Sequence, residues 1–142
     1  MILKTKHKMF VASIMQRSVV KFLVLFGVDY RNVICTRHGV KFRLDLREGI
    51  DFALFVRFFE RSTLRALAKL VQPGMTVLDV GANIGAHALQ LARLAGPEGR
   101  VIAFEPTRYA YDKLLQNLEL NSEFRERFVA EQIMLVSSDD TP

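Results

Sequence analysis

An α/β fold built on a parallel sheet is what this sequence predicts, and three observations carry the prediction. Short apolar runs bounded by turn residues recur at Met75–Val80, Arg100–Phe104 and Gln132–Val136. Helical stripes fill the intervals, over Ile84–Ala95 with Ile84, Ala88, Leu91, Ala92 and Ala95 on one side, and over Thr107–Asn121 with Tyr111, Leu114, Leu115 and Leu118. Punctuation is sharp, with "QPG" at Gln72–Gly74 before the first strand and "GPEG" at Gly96–Gly99 before the second. Strands alternating with helices imply right-handed crossovers and a parallel sheet, the front half of a doubly wound domain. With 142 residues, half of them hydrophobic, the chain can build one domain's core but not two independent units.

Residues 1–30 read as an amphipathic helix ending near Gly27. Val11, Ile14, Met15, Val19, Phe22 and Phe26 share one face, opposite Ser13, Gln16, Arg17 and Lys21, so the apolar side is expected to dock on the body of the protein. Peripheral attachment to an anionic membrane is the alternative use of such a helix. Lys4, Lys6 and Lys8 ahead of Met9–Ile14 imitate a signal peptide, but no small-residue cleavage site follows and Arg17 and Lys21 interrupt the apolar stretch. The longest apolar run, Phe22–Val28, falls far short of the roughly 20 residues of a spanning helix, so no transmembrane segment is expected.

Residues 31–74 form a hairpin and a helical lead-in. Val40, Phe42, Leu44 and Leu46 alternate with Lys41, Arg43, Asp45 and Arg47, and "RHG" at Arg37–Gly39 turns the chain back onto Val33–Thr36. His38 reads as a turn residue. A helix is expected from about Asp51 to Val71, striped by Phe52, Phe55, Val56 and Phe59 and then by Leu64, Leu67, Ala68 and Val71.

Charge divides the chain. Residues 1–70 carry fourteen Lys/Arg against five Asp/Glu, and residues 71–142 six against ten. The basic residues are spread singly, without an Arg-rich run or zinc-finger spacing, which favours a solvated basic face over a nucleic-acid partner. The single cysteine, Cys35, allows no internal disulfide and supports no metal cluster, which suits a reducing, cytoplasmic location.

The chemistry is concentrated in "TVLDVGANIG", Thr76–Gly85. In an open parallel sheet, ligands sit outside the carboxyl ends of the strands, where this loop lies. Gly81 and Gly85 permit a tight turn and close approach to a ligand, and Asn83 tolerates left-handed geometry between them. The match to a dinucleotide loop is poor, because Asn83 and Ala86 occupy the second and third glycine positions; a P-loop is excluded by the lack of Gly-Lys-Ser/Thr. Asp79 beside a phosphate-free turn suits a cationic ligand. Glu105 ends "RVIAFEP" about one βαβ unit later, where an acid can accept from both ribose hydroxyls. Taken alone, Glu105 could equally be a surface acid at a strand end. The pair points to a nucleoside with a cationic tail, and S-adenosylmethionine fits. Asp139 and Asp140 in "LVSSDD" either reach toward the adenine or belong to a frayed acidic terminus.

These residues resemble the Rossmann-like, S-adenosylmethionine-dependent methyltransferases, and more narrowly the FkbM-type family. "VLDVGANIG" followed by "LARLAGPEGRVIAFEPTRYAYDKLLQNLELN" carries the likeness, which runs from Leu44 to about Asp139. The resemblance implies a methyl acceptor that is a small-molecule or glycan hydroxyl. It implies that Asp79, Gly81, Ala82, Asn83 and Gly85 line the methionine and ribose side, that Glu105 holds the ribose and that Asp139 approaches the adenine. Glu60 in "RFFERS" would meet the cofactor's amino group, and His87, where the family often has an aromatic residue, has a packing role or touches substrate. No catalytic base is identified. The family's sheet has about seven strands, whereas only three can be drawn here, so residues 75–142 would be a cofactor-binding half. Strand Thr76–Val80 would keep an apolar unpaired edge, covered by a missing C-terminal half or by a second copy; a truncated gene product is a third possibility. A non-catalytic remnant, a basic interaction module and, less well supported, a nicotinamide dehydrogenase are the competing functions.

Overall fold

The computed structural model describes residues 5–57 and 61–137, with side chains described from residue 13 onward except at 61 and 62. The chain forms two compact units, one of Met1–Cys35 with Arg43–Phe59 and one of Thr36–Phe42 with Glu60–Pro142.

In the first unit, α1 (Thr5–Leu25) is the longest helix described. It closes with a Schellman motif: Gly27 takes φ 66°, its N–H donates to the Val24 carbonyl at 3.1 Å, and Val28 N–H donates to the Leu23 carbonyl at 3.0 Å. The docked side differs from the expected one. Met15, Gln16, Val19, Val20 and Leu23 are half-buried, while Ile14, Phe22 and Phe26 are exposed. The helix is turned by about a quarter of a revolution from the apolar face that the sequence outlines. The cause is polar: Gln16 Nε2 donates to the Leu46 carbonyl at 2.8 Å, satisfying an acceptor that a purely apolar face would leave unpaired. Leu46 N–H donates in turn to the Tyr30 carbonyl at 2.9 Å. Helix α2 (Gly49–Phe55) carries the buried Asp51, whose Oδ2 accepts the Asp45 N–H at 2.7 Å. Arg57 then adopts φ 61°, which a right-handed helix cannot contain, so the helix expected from Asp51 to Val71 is instead α2 and a separate α3 (Arg61–Leu70).

Strands β1 (Val33–Arg37) and β2 (Val40–Leu44) pair as the expected hairpin. His38 at φ 48° and Gly39 at φ 81° give its two-residue turn the left-handed pair that matches strand twist, and His38 is a turn residue as read from sequence.

The second unit holds a parallel sheet in the order β3-β4-β5, formed by β3 (Thr76–Val80), β4 (Arg100–Phe104) and β5 (Phe128–Glu131). Leu78 lies opposite Ile102 and Ile102 opposite Val129. Helix α4 (Ala88–Ala95) is buried along most of its length, and α5 (Arg108–Glu119) buries Ala110, Leu114, Asn117 and Leu118. Two sequence expectations shift here. The helix expected from Ile84 starts at Ala88, because Asn83 and Gly85 both have positive φ. The third strand is Phe128–Glu131 rather than Gln132–Val136. A 3-10 turn at Ser122–Arg127 delivers the chain directly to β4, where Phe128 is buried and Tyr111 Oη donates to the Ala130 carbonyl at 3.1 Å. Residues 132–137 run on past the ladder with their side chains exposed.

Asn121 ties the hairpin segment of this unit to the end of α5. Its Oδ1 accepts the Lys41 N–H at 2.9 Å and its Nδ2 donates to the Lys41 carbonyl at 2.8 Å, so one amide reads a strand edge as another strand would. Gln90 Nε2 makes the matching bond to the Arg37 carbonyl at 2.7 Å. Among the described residues β3 is an edge strand, as expected, and its Leu78 and Val80 are 60% and 64% exposed on the sheet face away from α4.

Candidate functional site

The loop after β3 folds over the end of β4. Gly81 N–H and Ala82 N–H both donate to the Phe104 carbonyl, at 2.8 and 2.9 Å, and Gly85 N–H donates to the Ala82 carbonyl at 2.9 Å. Three residues of five are left-handed: Gly81 at φ 80°, Asn83 at φ 50° and Gly85 at φ 83°. The two glycines have different surroundings. A Cβ on Gly81 would meet nothing within 4 Å, so the backbone there borders open space. A Cβ on Gly85 would lie 2.5 Å from Leu114 Cδ1, so Gly85 lets α5 pack against the loop.

Glu105 is the clasp of this arrangement. It is only 6% exposed, and its own N–H extends the β4–β5 pairing by donating to the Glu131 carbonyl at 3.0 Å. Its Oε2 accepts the Asn83 N–H at 2.9 Å, and its Oε1 accepts both the N–H and the hydroxyl of Thr107. Burial by itself would push this carboxyl up; the bonds from the Thr107 hydroxyl, the Thr107 N–H and the Asn83 N–H outweigh it and hold the group below its ordinary value of 4.5.

Asp79 stands on the neighbouring strand, opposite Ala103 in the register. Its carboxylate accepts the Ala88 N–H at the start of α4, where the exposed amides and the helix dipole favour an anion. Its Oδ2 is buried without a hydrogen-bond partner. Burial raises its pKa above 3.8, and His87 and the Ala88 N–H offset this only in part. The two acids therefore sit at the carboxyl ends of adjacent strands with opposite titration behaviour. Asp79→Asn is accordingly expected to raise the unfolding midpoint near neutral pH, because the charged form opposes folding there. That gain should shrink as pH falls through the raised value and vanish well below 3.8, where Asp79 is protonated in both states; thermal unfolding followed from pH 7 to about pH 2.5 measures it.

The structure thus brings Asp79, Gly81, Ala82, Asn83, Gly85 and Glu105 to one sheet edge. Asp139 and Glu60 lie outside the described residues. His87 immediately precedes α4, half-buried and close to Asp79. Two contributors escaped the sequence reading. Thr107 stands at the N-cap of α5, yet its hydroxyl makes no cap bond there and goes to Glu105. Asn117, fully buried, donates from Nδ2 to the Ile84 carbonyl at 2.9 Å and holds the loop from behind. The visible hint was an amide at helical spacing among Leu114, Leu118 and Asn121.

No protein-family model matches the chain. Among curated proteins it is 36% identical over 107 residues to "Ribosomal RNA large subunit methyltransferase E" of Acinetobacter baylyi, covering 68% of this chain and 48% of that one. It is 37% identical over 71 residues to the protein of the same name from Alcanivorax borkumensis, covering 50% and 33%. A shorter match, 44% over 45 residues, is to "Methyltransferase sdnD" of Sordaria araneosa, covering 32% and 17%. The chain therefore spans less than half the length of each of these relatives. Among solved structures it resembles P. horikoshii TYW2 in complex with MeSAdo, with TM-score 0.60 at 22% identity over 99% of this chain and 53% of that one. It resembles transferase PH0793 of Pyrococcus horikoshii equally, with TM-score 0.60 at 22% identity over 84% and 47%. The fold is the α/β Rossmann-like methyltransferase fold. Neither set of matches singles out the FkbM type, so that narrower resemblance rests on the sequence motifs alone.

Proposed function

We propose that this chain is the cofactor-binding half of an S-adenosylmethionine-dependent methyltransferase that methylates a hydroxyl. The observation that carries the reading is the buried, unpartnered Oδ2 of Asp79 beside the open backbone at Gly81, on the same sheet edge as Glu105. The donor set fits the cofactor. Glu105 Oε2 accepts one bond, from Asn83, which leaves lone-pair capacity for a ribose hydroxyl. Asp79 Oδ2 suits a cationic donor, and a loop without a P-loop or pyrophosphate pattern suits a nucleoside lacking phosphate. When bound, the cofactor supplies a methyl group already activated by positive sulfur. The chain's share is to hold that nucleoside in register and to exclude water from it. In this reading residues 75–142 form the cofactor-binding half, 31–74 its hairpin and helical lead-in, and 1–30 an appended helix. By the same resemblance Glu60 and Asp139 serve the amino group and the adenine.

The resemblance of "DVGANIG" and "AFEP" to the FkbM-type family is what suggests a small-molecule or glycan hydroxyl as acceptor. An RNA acceptor is the second reading, favoured by two curated relatives named as ribosomal RNA methyltransferases and by the basic first half of the chain. It reopens the nucleic-acid partner that dispersed basic residues argued against. The edge of β3 is covered, in this proposal, by further chain or by a second copy. Calorimetric titration with S-adenosylhomocysteine tests the core of it: saturable binding at one site per chain, abolished in Gly81→Val, is expected. A folded chain with no heat of binding would leave a non-catalytic remnant as the better description.

A further inference from the structure

We propose that the outer face of α1 is a docking surface for an anionic lipid bilayer, with the helix lying flat on the headgroups. Two independent observations meet on this segment. The first is charge: residues 1–28 hold five Lys/Arg and no Asp/Glu, leaving 15 of each sign in the rest of the chain. The whole net charge of +5 is thus carried by the helix and its flank. The second is exposed apolar surface. Ile14, Phe22, Val24, Leu25, Phe26 and Val28 are all exposed, Leu25 to 79%.

The two sets are interleaved. With 3.6 residues per turn, Ile14, Ser18, Lys21, Phe22 and Leu25 form one stripe, flanked by Arg17. The Gln16 bond to Leu46 turns the opposite side inward, so this stripe faces away from the docked side of the helix. Phe22 and Phe26 pack their rings at 4.6 Å between centroids, making an aromatic wedge where Gly27 ends the helix. No described helix is long and apolar enough to cross a membrane, so the helix would lie on the surface rather than span it. A polyanion such as RNA would pair with Arg17 and Lys21 but leave Phe22, Leu25 and Phe26 in water. A bilayer with anionic headgroups satisfies both, the cations at phosphate level and the apolar side chains among the upper acyl carbons.

Vesicle sedimentation of the full chain tests this, comparing phosphatidylcholine alone with a three-to-one mixture of phosphatidylcholine and phosphatidylglycerol. At least ten-fold preference for the anionic vesicles is expected. Each basic residue near the surface contributes about five-fold, so Arg17→Glu with Lys21→Glu is expected to lower partitioning by about 25-fold or more. Phe22→Ser with Leu25→Ser is expected to lower it by about ten-fold at unchanged charge. All four side chains are exposed, so circular dichroism should stay that of the parent. The chain has no tryptophan, so Phe22→Trp provides a single reporter whose emission should shift to the blue on anionic vesicles. Absence of partitioning, an unshifted emission, or retention by the serine variant equal to the parent would each overturn the proposal. Tighter binding to a polyuridylate oligomer that is indifferent to the serine changes would assign the surface to nucleic acid instead.

Discussion

Glu105→Gln is expected to weaken S-adenosylhomocysteine binding at least ten-fold and to cost about 2 kcal/mol of stability at neutral pH, where hydrogen bonds to a charged group are worth about 1.5–3 kcal/mol. The carboxylate accepts from Asn83 on one oxygen and from Thr107 twice on the other. An amide has one acceptor oxygen, so its NH2 group must confront either the Asn83 N–H or the Thr107 donors, and one side of the clasp opens. If the Asn83 side opens, the loop keeps its Gly81 and Ala82 bonds to Phe104 but loses its tie to Glu105 at the point where a ribose would sit. The pH dependence separates this from a loss of packing. Glu105 titrates below its ordinary 4.5, so its contribution is present above that value and is lost as pH falls through the lowered one. Parent and variant should therefore converge in urea unfolding as the solution is acidified, from a destabilised variant near neutrality, whereas Asp79→Asn converges from a stabilised one. Equal stabilities and affinities at pH 7 would remove Glu105 from the site.

Gly85→Ala should be the most destabilising single-methyl change in the loop, at about 3 kcal/mol. A left-handed backbone costs an L-residue roughly 1–2 kcal/mol, and forcing a methyl into packed atoms adds about 1–3 kcal/mol. Here the added carbon falls 2.5 Å from Leu114 Cδ1. Gly81→Ala has the same sign of φ but open space around it, so about 1–2 kcal/mol is expected from strain alone. Its larger consequence should be on ligand binding, because the new methyl enters the space a nucleoside would use. A double-mutant cycle with Leu114→Ala decides the matter: shortening Leu114 should recover the overlap part of the Gly85→Ala loss and nothing of the Gly81→Ala loss. Matching behaviour of the two glycines in that cycle would refute the division of roles.

Several corrections share one physical origin. The run Gln132–Val136 has more aliphatic side chains than Phe128–Glu131, yet the latter pairs with β4, because strand choice depends on where a short turn can deliver the chain. On α1 the side with the richer apolar pattern faces outward, because a backbone carbonyl at Leu46 recruits Gln16. Local hydrophobicity ranks candidate faces and segments; hydrogen bonds made across the fold select among them.

Read alone, the sequence determined the alternation of strands and helices from residue 75 onward, the hairpin with His38 in its turn, the left-handed Asn83 and the placing of Asp79 and Glu105 at neighbouring strand ends. Each depends on periodicity or on the φ that a residue type tolerates, which are properties of a few consecutive residues. Only the tertiary structure decided that Gly81 borders open space while Gly85 makes room for Leu114, that Thr107 and Asn117 brace the loop, and that Asp79 keeps an unpartnered oxygen. Apart from the local tie of Thr107 to Glu105, those outcomes rest on atoms brought together by the folding of α4 and α5 onto the sheet, and no window of neighbouring residues contains them.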